Sequence, residues 1–349
     1  MKKILRIITN WESWNFKFLY APLTPVWVWY CLKLRSVWFF AYSNPKIIFG
    51  GMDGETKMDI YNLLPKNLYP ETFLVKAHQD FNSIIENIKK NNIPYPFIVK
   101  PDAAKQGVLF RVIKNESQLK NYHNTIPVDY IVQQKVDYPM EVSIFHIRKP
   151  WETQGVITGF LHKIPLNVVG DGIHTLAQLA ALHPKASGKL DDLKLKHNEK
   201  WNIILPQGEK YMLSYAANHN RGAHFVDLKN HIDEKLTDFY DKISIEANDL
   251  FYGRYDILCS DVESLKEGRN FKILEYNGCG AEPNHFYDTG YTLAGAYREI
   301  LKHWKALYQI CKYNKQHGAM KWSFIKGYRF INDFNKIFEK LKEIDKHLE

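Results

Sequence analysis

Two short stretches hold the residues best suited to chemistry. Gly253-Arg254-Tyr255-Asp256 and Glu275-Tyr276-Asn277 flank a polar, turn-rich run from Ser260 to Asn270. Each stretch reads as a strand, and the run between them joins the two as neighbours. Side chains alternate faces along a strand. Arg254 and Asp256 therefore share one face, as do Glu275 and Asn277, while Tyr255, Ile257, Leu274 and Tyr276 are left for a core. Pairing the strands gathers one guanidinium, two carboxylates and one amide into a single patch. Two carboxylates held together repel unless a cation lies between them. An all-oxygen set without His or Cys favours a hard ion such as Mg²⁺, which binds through one or two carboxylates and substrate phosphates. A guanidinium beside that ion suits a phosphoryl group with developing charge.

The elements that position this patch follow from the flanking sequence. Residues 234–251 carry Leu236, Phe239, Ile243, Ala247 and Leu250 at helical spacing, so an amphipathic helix delivers the chain to Gly253. Upstream, residues 96–101 and 108–113 read as two strands around Asp102-Ala103-Ala104-Lys105-Gln106-Gly107. A strand, a small-residue loop and a return strand form a flap whose backbone N–H groups can meet phosphates. Lys100, at the end of the first strand, would reach them as a point charge. Residues 130–136 form a further strand that ends at the Tyr138-Pro139 turn, with Glu141 just beyond. Lys57 stands where a glycine-containing loop meets a short helix. Residues 187–201 read as a polar, mobile insertion, and Thr175 with Gln178 has the capping-box pattern of a helix start.

The arrangement resembles the ATP-grasp superfamily, in particular its D-alanine–D-alanine ligase-like branch. The resemblance rests on the order lysine, flap hairpin, hinge with a carboxylate, basic loop, Gly-Arg-x-Asp and Glu-x-Asn, over about residues 50–310. It implies an α+β ATP-grasp fold with two α/β subdomains clasping ATP; outside its span the residues themselves add a short aromatic N-terminal segment and a helical C-terminal tail. The corresponding divisions are 1–49, 50–140, 141–311 and 312–349. It also implies that Asp256, Glu275 and Asn277 hold two Mg²⁺ ions, or Mn²⁺ in their place. Lys57, Lys100, Lys105, Gly107 and Arg254 would attend the phosphates, Lys135 and Val136 the adenine, and Glu141 the ribose. Arg254, Arg221 and Lys100 are the catalytic candidates, with Arg221 on the acyl phosphate. The implied reaction is ADP-forming carboxylate–amine ligation through an acyl phosphate. The same site leaves open a small-molecule kinase or a membrane-associated nucleotide-binding protein. The flap departs from the family in having a single glycine, with Lys105 near its tip. His219 and His224 show no partner that would set a basic pKa, and Cys279 shows no paired base.

Composition bounds the alternatives. The chain has 349 residues, 45% hydrophobic and 24% charged, which describes a globular protein. Four scattered cysteines without a C-x-x-C pair suit a reducing cytoplasm. The net charge of +9 is concentrated at the two ends: +6 in residues 1–50 and +4 in 312–349, against −1 between them. A nucleic-acid enzyme carries its basic charge around its groove, so nucleic acid is not an expected partner. Small carboxylate and amine substrates are. Five of the nine tryptophans lie in the first 45 residues, beside lysine and arginine. That stretch is too interrupted to span a bilayer. It fits either the surface of an anionic membrane or an aromatic cover packed on the domain or at a homodimer contact.

Overall fold

The computed structural model describes residues 11–214, 217–247 and 250–347. In chain order, α1 (Phe16–Tyr20) and α2 (Thr24–Leu34) precede α3 (Lys57–Leu63) and β1 (Thr72–Val75). Then come α4 (Phe81–Lys90), β2 (Phe97–Pro101), β3 (Arg111–Ile113), α5 (Glu116–Thr125) and β4 (Tyr130–Gln134). The hairpin strands β5 (Met140–Ile147) and β6 (Val156–Ile164) follow, with β7 (Asn167–Val169), α6 (Leu176–Leu182), α7 (Leu190–Lys196) and β8 (Lys210–Met212). The last third holds β9 (His224–Asp227), α8 (Glu234–Glu246), β10 (Tyr252–Cys259), α9 (Val262–Lys266), β11 (Phe271–Asn277), α10 (Leu293–Gln316) and α11 (Phe324–His347).

Two antiparallel sheets dominate. The smaller has the order β1-β4-β2-β3, and the larger β11-β10-β5-β6-β9. The smaller sheet forms its own core from Val99, Tyr130 and Val132, with Ile84 and Ile88 of α4 and Leu119 of α5 packed on it. The larger sheet buries Val142, Ile144, Phe160, Tyr255 and Ile257 on α8, through Leu236, Tyr240 and Ile243. Helix α8 ends sooner than its apolar spacing suggests, at Glu246.

Several local expectations change. The return strand of the flap begins at Arg111, not Val108, because Val108 and Leu109 turn into the core with Leu109 at φ +57°. Strand β4 stops at Gln134, short of Val136. Leu274 leaves the core face. A bulge in the β10–β11 register between Asp256 and Ile257 breaks the alternation, so Ile273 is buried in place of Leu274, while Tyr276 stays in the core as expected. The 187–201 insertion holds α7, and its Leu193 and Trp201 join Leu176, Ala180 and Leu205 in a small core of their own. Thr175 and Gln178 do form the capping box.

The described N-terminal segment and C-terminal helix are built into the fold. Phe39, Phe40, Ala41 and Tyr42 are buried against Phe145, Leu307, Ile310 and Cys311. Trp27 packs edge-on to Trp304, their ring centres 4.9 Å apart. Gly50 and Gly51, at φ +69° and +76°, let the backbone reach the loop after β11, where Cys279 and Gly280 N–H groups donate to their carbonyls at 3.1 and 2.9 Å. Residues 39–42 of the N-terminal segment are thus packed on the domain. Helix α11 buries Phe338 and Leu341 in the smaller sheet's core. Asp345 accepts from the Leu109 N–H at 3.0 Å and from Arg111 at 2.9 Å.

Candidate active site

Strands β10 and β11 pair with Arg254 opposite Asn277 and Asp256 opposite Glu275. The four side chains picked out by sequence alternation therefore meet on one face. Arg254 donates through Nε to Asp256 Oδ1 at 3.3 Å and through Nη2 to Oδ2 at 3.2 Å. Asn277 Nδ2 donates to Asp256 Oδ2 at 2.9 Å. Burial pushes the Asp256 carboxyl up, but the Arg254 and Lys163 charges outweigh it and hold it at about 2. Asp256 is therefore a permanent anion at the centre of the patch.

Lys163 has no counterpart in the sequence reading. It comes from β6, is almost wholly buried, and contacts Glu141 Oε1 at 2.6 Å and Asp256 Oδ1 at 3.0 Å. Burial lowers its pKa, yet the two carboxylates more than reverse this and leave it raised. Glu141, expected at the ribose, thus stands on the ionic face in contact with the cation that also holds Asp256.

The other carboxylate, Glu275, lies in the field of three cations: its charge raises the pKa of Lys57, Lys100 and Arg254. For Lys57 and Lys100 desolvation is larger and leaves both lowered. Lys100 is carried by β2 of the smaller sheet and Glu275 by β11 of the larger, so the patch spans the junction of the two. A pocket at that junction is lined by Glu55, Lys57, Tyr61, Ala104 and Glu275, among others. Glu55 is a second unforeseen residue. Its Oε2 is buried without a hydrogen-bond partner. Desolvation raises its pKa, and the charges of Asp53 and Glu275 push it further the same way. An orphaned carboxylate oxygen close to a second carboxylate is an environment that a hard cation relieves. The donor set therefore fits Mg²⁺.

The flap residues have protein partners. Lys57 Nζ donates to the carbonyls of Asp102 and Ala104 at 3.3 and 2.9 Å, fixing the root of the flap loop. Lys105 pairs with Asp53 at 2.7 Å, and its ammonium lies 5.4 and 5.3 Å from the Phe334 and Phe338 ring centres of α11. Beside Gly107, at φ +68°, the Gln106 carbonyl accepts from Arg221 Nη2 at 2.6 Å. Arg221 thus meets the flap from the loop before β9. Lys135 pairs with Asp137, and Val136 is half-buried after β4. The structure brings Arg254, Asp256, Glu275, Asn277, Lys57, Lys100 and Glu141 together. Lys135 and Val136 lie just beyond the end of β4, where Lys135 pairs with Asp137.

The loop after β11 closes one side. Glu282 is half-buried, and its Oε1 accepts from Tyr20 Oη at 2.9 Å and Tyr287 Oη at 3.0 Å. Its backbone carbonyl accepts from Arg254 Nη1 at 3.1 Å. His219 stacks on Tyr287 at 4.0 Å, with Nε2 2.9 Å from the Glu12 carbonyl, while His224 lies 3.7 Å from Asp288. Cys279 is buried, and desolvation drives its thiol well above the usual range. It is no nucleophile. Alternation along residues 156–164 could have placed Lys163 on a sheet face. Nothing local could have marked Glu55 or Glu282, whose roles come from distant partners.

No family model matches the chain. It is 25% identical over 154 residues to the bifunctional glutathione biosynthesis protein GshAB of Streptococcus agalactiae, covering 40% of this chain and 20% of that protein. It is 24% identical over 257 residues to GshAB of Enterococcus faecalis, covering 66% and 33%. The chain thus spans between a fifth and a third of these curated relatives. Among solved structures, D-alanine–D-alanine ligase from Bacillus anthracis matches at 12% identity and TM-score 0.41, covering 77% of this chain and 69% of that one. A bifunctional glutathione synthetase from Pasteurella multocida matches at 15% and 0.39, covering 71% and 36%.

Proposed function

We infer that this chain is a member of the ATP-grasp superfamily and an ADP-forming carboxylate–amine ligase. The observation that carries the reading is the meeting, across two antiparallel sheets, of Lys57 and Lys100 with Arg254, Asp256, Glu275 and Asn277. The sequence likeness to two-function glutathione-forming proteins agrees with it.

Arg254 and Lys100 would face the γ-phosphate of an ATP bound between the sheets. Glu275, Asp256 and Asn277, with Glu55 beside them, would hold Mg²⁺, which would supply positive charge to neutralise the phosphate oxygens. Lys57 and Lys100, of lowered pKa through burial, contribute compact charges. Arg254 is kept cationic by Asp256, which outweighs its desolvation, and faces the oxygens that gain charge as the phosphoryl group passes to a substrate carboxylate. Catalysis of this step is mostly positioning and electrostatics. An amine then attacks the acyl phosphate, with Arg254 and Arg221 stabilising the oxyanion. Glu141 takes the ribose hydroxyls on the oxygen that Lys163 leaves available, and Lys135 and Val136 border the adenine.

The test is ADP release over a panel of amino acids, short peptides and lipid-linked acids, with mass spectrometry of products. An amide formed with one ADP per bond supports the ligase. ADP release that needs an acid but no amine makes the chain a kinase. The absence of nucleotide binding removes both.

A finer reading concerns location. No described helix is long and apolar enough to cross a membrane. Yet Phe18, Trp29 and Leu32 of the N-terminal helices and Phe324, Ile325 and Tyr328 of α11 are exposed. Lys17, Lys33, Lys326 and Arg329 lie among them in sequence, and Trp38 joins the two groups by stacking on Phe324. Exposed aromatics with basic neighbours favour an anionic bilayer surface.

A further inference from the structure

Away from the nucleotide site, α10 presents Glu299 and His303 one helical turn apart, and the turn at Asn284–Phe286 brings His285 to meet them. His285 Nε2 lies 3.4 Å from Glu299 Oε1, and His303 Nε2 lies 3.7 Å from the same oxygen. The ligand atoms of all three residues fall within 4.8 Å of one another. His285 is 5% exposed and His303 1%. Neither ring nitrogen of His285 has a hydrogen-bond partner, nor does His303 Nε2.

Three buried imidazole nitrogens without a hydrogen bond, two of them facing Glu299 only at 3.4 and 3.7 Å, are costly, and such groups in a folded protein call for an ion or a water. The spacing helps to choose. A charge-assisted N–H···O bond is about 2.7–2.9 Å long, shorter than either separation. Ligand bonds of about 2.0–2.2 Å around a tetrahedral zinc ion set its ligand atoms roughly 3.3–3.6 Å apart, close to both. The surroundings are arranged as a metal site requires. His303 Nδ1 is 3.3 Å from Tyr252 Oη. An Nδ1–H donated there leaves Nε2 with its lone pair turned toward Glu299. Glu299 Oε2 is held at 3.1 Å by Lys302, so Oε1 is the oxygen facing the rings. Gly159 is the residue under His285: a Cβ there would lie 2.4 Å from Nδ1, so only glycine leaves room for the ring.

We propose that His285, Glu299 and His303 bind a divalent first-row transition ion, Zn²⁺ foremost, which fastens α10 to the loop after β11. Two imidazoles and one carboxylate suit zinc, with a water in the fourth position. The oxygen-rich nucleotide site instead suits Mg²⁺. The ion is a positioning element. His285 is three residues after Glu282, whose carbonyl holds Arg254. The site does not depend on the ligase reading, because metal content is measured without nucleotide or substrate.

The experiment uses untagged full-length protein grown with added zinc and dialysed against Mg²⁺ without chelator. Elemental analysis should find one zinc per chain in the wild type and in Glu275→Gln, and none above background in His285→Gln or His303→Gln. As a check independent of those variants folding, wild-type protein stripped by chelator and given Co²⁺ should show the visible absorption of a low-symmetry imidazole–carboxylate complex. Zinc absent from the wild type even after its addition, zinc retained by both histidine variants, or a Co²⁺ spectrum equal to that of the aqueous ion each overturns the proposal.

Discussion

Lys163 Nζ stands 3.0 Å from Asp256 Oδ1 in a position that is 4% exposed, and the same ammonium reaches Glu141 at 2.6 Å. One buried cation thus ties three neighbouring strands, β5, β6 and β10, through their charges. Removing one partner of a buried pair costs about 3–5 kcal/mol, because the other is left uncompensated. Lys163→Met is expected to lose that much in urea unfolding, together with nucleotide turnover. The double variant Lys163→Met/Glu141→Gln should regain part of the stability and none of the turnover. A single variant as stable as wild type removes the ionic role of Lys163.

Glu275→Gln tests the metal assignment. Glu275 is half-buried and lies among three cations, so its neutral isostere should keep the fold with a lowered melting temperature. ADP formation should fall by about 10²–10³-fold, the scale of losing one electrostatic contact to the transition state. Full activity at saturating Mg²⁺ would exclude Glu275 as a ligand.

Gly253→Ala tests how closely the two strands must approach. A Cβ at that position would lie 2.4 Å from Tyr276 Cζ and 2.6 Å from the Asn277 carbonyl oxygen. Neither atom belongs to a flexible tip, so β11 must move away from β10. Overpacking of this kind costs about 1–3 kcal/mol. Activity should fall further than stability, since the shift parts Asn277 from Asp256. Calorimetry and ADP release on the same sample separate the two.

The exposed aromatics predict salt-sensitive attachment to phosphatidylglycerol vesicles. Deleting residues 1–42 is unsuited as the test, because Phe39 to Tyr42 are core and their loss should unfold the protein. Phe18→Glu with Ile325→Glu keeps the core and should release the protein from vesicles in a flotation assay. Failure of the wild type to float at low salt would leave the packed cover alone, and concentration-dependent self-association would make the face a homodimer contact.

By itself the sequence determined the strand pair that carries Arg254, Asp256, Glu275 and Asn277, because alternation and a turn-rich linker are local properties. It determined Lys100 at the end of an apolar strand and the capped helix at Thr175 for the same reason. Tertiary structure decided what local pattern cannot encode. Lys163 gains its meaning only when β6 lies between β5 and β9, and Glu55 only when α3 is pinned to the root of the flap. The bulge at Asp256/Ile257 moved Leu274 out of the core and Ile273 in, since one extra residue in a strand inverts every face beyond it. The aromatic N-terminus reads alike as membrane anchor or as core cover, because burial is a property of the partner surface. Only the folded chain, with Phe39 and Phe40 against α10 and the glycine carbonyls against the loop after β11, packed this segment beside the candidate site.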